Sequence, residues 1–271
     1  MSPRSEIVVV TGAGSGIGRE FVKLFVADGA QVLAVSLLQE ELGELQRDLP
    51  AAGRHLSTLC MDLSEADAAE RLLAWCQGQG FTVGTLINNA GFACFGEAVD
   101  QTVGRMASMI ALNVTTLTKL AVLFGAQMKA RRQGRILNVG STAGMVPYPN
   151  MAAYCATKAY VNSFTLTLAA ELKPYGVTVT CLAPGATQTQ FAEAGGITRF
   201  GGASRLKDMF AAGQASSPAE VARAGYDGLL TDKKFVLTGK LSGAANLVSR
   251  LLPQSSIPET RRKISWLLGP P

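Results

Sequence analysis

Tyr154 and Lys158 stand four residues apart in Tyr154-Cys155-Ala156-Thr157-Lys158, a spacing that sets two side chains on one face of a helix. A fixed cation beside a phenol favours phenolate. The pair therefore predicts a Tyr154 pKa drawn down from its unperturbed value of about 10. A phenol so tuned is a general acid or base suited to carbonyl chemistry. Packing on an amphipathic helix produces the same spacing, so the reading depends on what the rest of the chain brings to the pair.

The elements that must position the pair can be read from the hydrophobic pattern. Val8-Val9-Val10-Thr11 runs into the turn Gly12-Ala13-Gly14-Ser15-Gly16, and Ile17, Phe21, Leu24 and Phe25 then recur at helical spacing. Strand, glycine turn and helix together bring backbone N–H groups and a helix N-terminus up to a pyrophosphate. The spacing Gly12-x3-Gly16-x-Gly18 differs from the G-x-G-x-x-G fingerprint. Further strands are expected near 31–36, 55–61, 84–88, 134–139, 177–182 and 235–237, the first being 7–11. Helices are expected near 16–27, 39–49, 65–79, 102–131, 151–173 and 218–229. Strict alternation predicts an α/β chain, a doubly wound parallel sheet of about seven strands with helices on both faces. Ligand then binds at the carboxyl ends of the strands. The glycine turn, Asn88-Asn89-Ala90-Gly91, Ser141 and Pro184-Gly185 all fall at such ends.

Composition sets limits. The 271 residues are 48% hydrophobic and 17% charged, which suits a sheet buried on both faces. No linker or repeat divides the chain, so one domain is expected over residues 1–240, with a helical extension over 241–271. No secretory leader pattern opens the chain, and the apolar run Met109 to Met128 is broken by Asn113, Lys119 and threonines. It reads as a buried helix, with no transmembrane segment, and a cytoplasmic location is expected. The five cysteines include no CxxC. Cys60 and Cys181 read as small core residues, and Cys94 as the thiol that could face substrate. A single histidine, His55, leaves no serine–histidine hydrolysis and no histidine-rich metal site.

In order, the chain carries Thr11-Gly12-x3-Gly16-x-Gly18, Asn88-Asn89-Ala90-Gly91, Asn113, Ser141, Tyr154-x3-Lys158 and Pro184-Gly185. These six motifs resemble, in identity, order and approximate spacing, those of the short-chain dehydrogenase/reductase family, with a match from about Ile7 to Gly239. The resemblance implies a Rossmann fold and an NAD(P)(H)-dependent oxidoreductase. It implies a catalytic tetrad of Asn113, Ser141, Tyr154 and Lys158. Tyr154 would exchange a proton with the substrate oxygen, Ser141 would stabilise that oxygen, Lys158 would hold the nicotinamide ribose, and Asn113 would position a water leading to Lys158. It implies cofactor contacts from Gly12, Ser15, Gly16, Ile17 and Gly18 at the pyrophosphate. Asp62 and Leu63 would lie at the adenine, Asn89, Ala90 and Gly91 along the ribose, and Pro184, Gly185 and Thr187 at the carboxamide. A homo-oligomer, dimer or tetramer, is also implied.

Two regions depart from the family pattern. Where an acidic residue ends the second strand and selects NAD, this chain has Ser36 followed by Leu37. The missing carboxylate favours NADP(H) over NAD(H), although the arginine common in NADP-dependent members is also missing. From Lys234 onward six Lys/Arg face the single acid Glu259, among apolar residues such as Val248, Leu251, Ile264 and Trp266. Such a tail fits a helix over the pocket or a partner subunit, or contact with an anionic membrane surface or acidic carrier. Nucleic acid is not expected as a partner. A lid is expected over about 190–215. Phe92, Phe95, Met145, Tyr148, Phe191 and Phe200 in the surrounding loops suggest an apolar ketone or secondary alcohol as substrate. The alternatives are a carrier-bound 3-oxoacyl reductase and a non-catalytic, redox-sensing dinucleotide-binding protein.

Overall fold

Successive side chains of a strand point to opposite faces, and along Ile7 to Val10 both faces are buried. Ile7 and Val9 join one apolar cluster, Val8 and Val10 another. A strand of this kind needs cover on both sides, and the fold supplies it. The structure, a computed structural model, describes residues 6–188 and 215–239. Seven strands, β1 (Glu6–Thr11), β2 (Gln31–Ser36), β3 (Leu56–Cys60), β4 (Thr82–Asn88), β5 (Gly134–Val139), β6 (Val177–Pro184) and β7 (Phe235–Thr238), form one parallel sheet. Their order is β3-β2-β1-β4-β5-β6-β7. Helices α1 (Gly16–Ala27), α2 (Gln39–Asp48) and α7 (Pro218–Leu230) cover one face through Phe21, Leu42, Leu45 and Val221. Helices α3 (Ala68–Gly78), α5 (Leu117–Arg131) and α6 (Ala152–Leu172) cover the other through Leu72, Phe124 and Leu168. The strand order reverses between β1 and β4, which opens a crevice at their carboxyl ends.

The expected helix over 102–131 is divided. Helix α4 (Val103–Ile110) runs into a π-helical turn, Ala111–Thr116, and only then into α5. The wider turn accommodates an extra residue and turns Asn113 and Thr116 inward, where both are buried. Val103–Arg131 is long and apolar enough, by length and composition alone, to cross a membrane. Its second half buries Leu117, Leu120, Ala121, Phe124 and Met128, forming the buried helix that the apolar pattern predicts. Cys60 is a correction: β3 is the edge strand, and its last residue is exposed, whereas Cys181 on the interior strand β6 is buried. The expected lid at about 190–215 falls, except for its last residue, outside the described residues. So do Phe191, Phe200 and the extension 241–271.

Candidate active site

Ser141 follows β5 and opens a tight turn over Thr142–Gly144 that lies on α6. Its backbone is clamped by Asn162 of α6. Ser141 N donates to Asn162 Oδ1 at 3.4 Å, and Asn162 Nδ2 donates to Ser141 O at 3.0 Å. A Cβ on Gly140 would collide with the Asn162 side-chain oxygen, so a side chain there would displace the clamp. Ser141 Oγ accepts from Ala143 N at 3.1 Å and donates to Pro184 O at 3.4 Å. A side-chain hydrogen bond joins Ser141 to Tyr154. One turn further along α6, Lys158 Nζ donates to Val139 O at 2.7 Å and stands 5.8 Å from the centre of the Tyr154 ring.

Burial dominates the electrostatics of the pair. It pushes the Tyr154 phenol above its ordinary range, the Ser141 hydrogen bond opposing and the adjacent Cys155 adding to the rise. The depression expected from Lys158 is therefore corrected: the ammonium points at the Val139 carbonyl, and desolvation of the phenolate prevails. Lys158, 4% exposed, is itself pulled down by burial to about 8, with Cys181 opposing. Folding thus penalises the protonated amine. That penalty is complete below about pH 8 and is relieved as pH rises towards the unfolded value of 10.5, where the unfolded chain alone still holds the proton. Wild type should therefore gain stability on Lys158→Met by up to about 3 kcal/mol across that window. Denaturant unfolding of both proteins at stepped pH measures it, and parallel pH profiles would refute the buried, depressed amine.

Asn113 ties the π-helical turn to the loop after β4. Its Nδ2 donates to Phe92 O at 2.9 Å and its Oδ1 accepts from Phe92 N at 3.1 Å. The same Nδ2 reaches Thr157 Oγ1 at 3.2 Å, and that hydroxyl donates to Tyr154 O at 2.7 Å. A Cβ on Gly91 would stand 2.7 Å from Asn113 Oδ1 and 3.8 Å from Lys158 Nζ, so these groups meet around Gly91. Ser141, Tyr154, Lys158 and Asn113 are thus brought together on one rim. Around Tyr154 lies an apolar cluster of Ala93, Cys94, Met109 and Ala143, with Phe92, Phe95 and Tyr148 packed against it. Cys94 is buried in it.

The glycine turn has the shape of a phosphate cradle. Gly12 and Gly16 hold φ of 62° and 53°, and a Cβ on Gly18 would strike the Gly12 carbonyl. Ser15 makes no side-chain cap hydrogen bond to α1, and the first turn, which contains Ile17, carries no acid. The helix start therefore suits an anion such as a pyrophosphate. Thr11 Oγ1 accepts from both Asn89 N and Ala90 N at 3.0 Å, and Asn89 Nδ2 donates to Thr11 O and Gly12 O, fixing the crevice wall. Asp62 Oδ1 accepts from Ser64 N and Ser64 Oγ, and Leu63 O accepts from Thr116 Oγ1. Gly185 N donates to Thr238 O, and Thr187 Oγ1 to Gly185 O at 3.1 Å.

Three contributors escape the sequence reading. Thr11 sits inside the recognised motif but reads there only as strand. Asn162 lies four residues beyond Lys158, on the same helical face, and that spacing could have found it. Glu41 is the third: Ser36 Oγ donates to Glu41 Oε2 at 2.8 Å. The end of β2 therefore has a carboxylate after all, delivered from α2, which alters the premise on which NADP(H) was favoured.

Residues 6–197 match the family model of the short chain dehydrogenases. The chain belongs to this family. Its members are oxidoreductases, and the relatives bear this out. The chain is 37% identical over 182 residues to the NADP-dependent 3-hydroxy acid dehydrogenase YdfG of Escherichia coli, covering 66% of this chain and 71% of that one. It is 28% identical over 258 residues, 92% of its length, to a protein of Mycobacterium tuberculosis named "Probable oxidoreductase EphD", of whose length it spans 43%. Among solved structures, a short-chain dehydrogenase from Sphingobium yanoikuyae in complex with NADPH is similar at 27% identity. That match has a TM-score of 0.76 and covers 92% of this chain and 97% of the other.

Proposed function

We propose that this short-chain dehydrogenase transfers hydride between a nicotinamide dinucleotide and an apolar ketone or secondary alcohol, acting as a reductase. The observation that carries the reading is the hydrogen-bonded Ser141–Tyr154 pair beside buried Lys158, on the rim that also holds the glycine cradle. Gly12, Ser15, Gly16, Ile17 and Gly18 would hold the pyrophosphate. Asp62 and Leu63 would flank the adenine, and Asn89, Ala90 and Gly91 would line the ribose side. Pro184, Gly185 and Thr187 would meet the nicotinamide end. The dinucleotide supplies hydride to the carbonyl carbon when bound. Ser141 orients the carbonyl oxygen and stabilises its growing charge. Tyr154 gives that oxygen its proton, and burial keeps the phenol protonated for the purpose. Lys158 holds the ribose, and Asn113 braces the loop at Phe92 behind it. The aromatic and apolar side chains packed about Tyr154 favour an apolar substrate.

NADP(H) use is supported by the NADP named for the Escherichia coli relative and the NADPH in the Sphingobium structure. Leu37, 59% exposed, directly follows Ser36 at the end of β2. Leu37→Arg should tighten NADPH over NADH by on the order of tenfold through a charge-assisted pair. An unchanged ratio would place the end of β2 away from the ribose 2′ position. The 3-hydroxy acid named for the same relative puts the reacting carbon at C3 of an acyl chain, which favours a second reading, reduction of a 3-oxoacyl group such as a carrier-bound thioester. The deciding experiment follows NADPH and NADH oxidation by purified protein across apolar ketones and 3-oxoacyl thioesters. Ketone turnover supports the first reading, and thioesters turned over well above ketones support the second. Dinucleotide binding with no turnover anywhere would favour a non-catalytic, redox-sensing role.

A further inference from the structure

The adenosine end of the cradle carries a charge that the strand pattern does not show. Gly14 is buried at the base of the turn, and a Cβ there would collide with the Glu41 carboxylate and stand 2.7 Å from Ser36 Oγ. Glu41 lies in the first turn of α2 and is tethered to Ser36 by the 2.8 Å hydrogen bond. Among the described residues, Arg19, whose guanidinium reaches Gly14, is already engaged with acids. Its guanidinium pairs with Asp48 at 2.6 Å and Glu44 at 3.5 Å, both on α2, and reaches Gly14 O at 3.4 Å. Leu37 and Leu38, between Ser36 and α2, are exposed and uncharged.

Resting on the dinucleotide reading above, we propose that Glu41 is the specificity-determining residue for the 2′ position of the adenosine ribose. Its place on α2 is five residues beyond the strand end where an acid would ordinarily stand. A ribose diol offers two hydroxyl donors to its carboxylate, whereas a 2′-phosphate meets a like charge, with the guanidinium of Arg19 already paired to Asp48. Ser36 orients the acid without neutralising it. Glu41 therefore opposes NADP(H), and the chain's discrimination between the two dinucleotides is set against whatever else in the cradle favours the phosphate.

The test is calorimetric binding of NADH and NADPH, which differ only in the 2′-phosphate, to wild type, Glu41→Gln, Glu41→Ala and Glu40→Gln. Glu40 is the exposed neighbour on α2, and its variant removes the same charge from another face. The expected result is that both Glu41 variants move the Kd ratio towards NADPH by on the order of tenfold. Glu40→Gln should leave it near wild type. An unchanged ratio in both Glu41 variants overturns the proposal while the dinucleotide reading stands. An equal shift in Glu40→Gln also overturns it, because a general field would then be responsible. Failure of wild type to bind either dinucleotide overturns both.

Discussion

Tyr154→Phe should lower turnover by on the order of 10²-fold or more while leaving the fold and dinucleotide binding intact, as removal of a general acid does. Tyr154 is 7% exposed and packs within the apolar cluster of Cys94, Met109 and Ala143. Phenylalanine keeps that ring packing and deletes only the hydroxyl hydrogen-bonded to Ser141. Lys158 keeps its bond to Val139 O, so the dinucleotide Kd serves as the control. The direction of the Tyr154 shift adds a second reading of the same protein. Burial holds the proton on the phenol, so reduction begins with the donor already loaded. Oxidation must first strip that proton and should quicken as pH rises. A variant as active as wild type, with Kd unchanged, would remove Tyr154 from the chemistry.

The sequence made the scaffold legible because each strand advertises itself twice, in β-branched residues and in the polar or glycine turn that ends it. β2 and β5 lie where expected, and α1 begins at Gly16, directly after the turn. The motif residues were visible for the same reason: they sit at strand ends, which alternation locates. What periodicity could not show was a change of pitch. The pattern over 102–131 is apolar enough to read as one helix, yet a single widened turn decides that Asn113 faces Phe92 and Thr157. Nor could it show side chains that reach back across a connection. Glu41 reads as a solvated acid at a helix start until α2 folds against β2 and sets it on Ser36 and Gly14. The direction of the Tyr154 shift escapes the spacing for a related reason. The four-residue spacing gives proximity to Lys158, but the competing Val139 carbonyl and the depth of burial belong to the tertiary structure.

Gly144→Ala should harm this site nearly as much as the loss of the phenol, without touching any group that reacts. Gly144 closes the tight turn that Ser141 opens, and its N–H donates to Ser141 O at 3.1 Å. A Cβ there would collide with the backbone carbonyl of Lys158 and lie 2.6 Å from Ala159 N. Those atoms belong to the interior of α6, which is hydrogen-bonded along its length and cannot yield as a flexible side chain would. The turn must lift instead, carrying Ser141 away from Tyr154 and loosening the Asn162 clamp. Overpacking of this kind costs about 1–3 kcal/mol. A misplacement of about 1 Å in a reacting constellation costs about 10²-fold in rate. Gly43, in α2 with nothing within 4 Å of a built Cβ, provides the contrast. Gly43→Ala should stabilise by about 0.5–1 kcal/mol through helix propensity, with turnover unchanged. Denaturant midpoints and turnover of the two variants separate the cases. Wild-type values for Gly144→Ala would mean that the turn is free to shift on α6, and that Asn162 alone holds Ser141 in register with Tyr154.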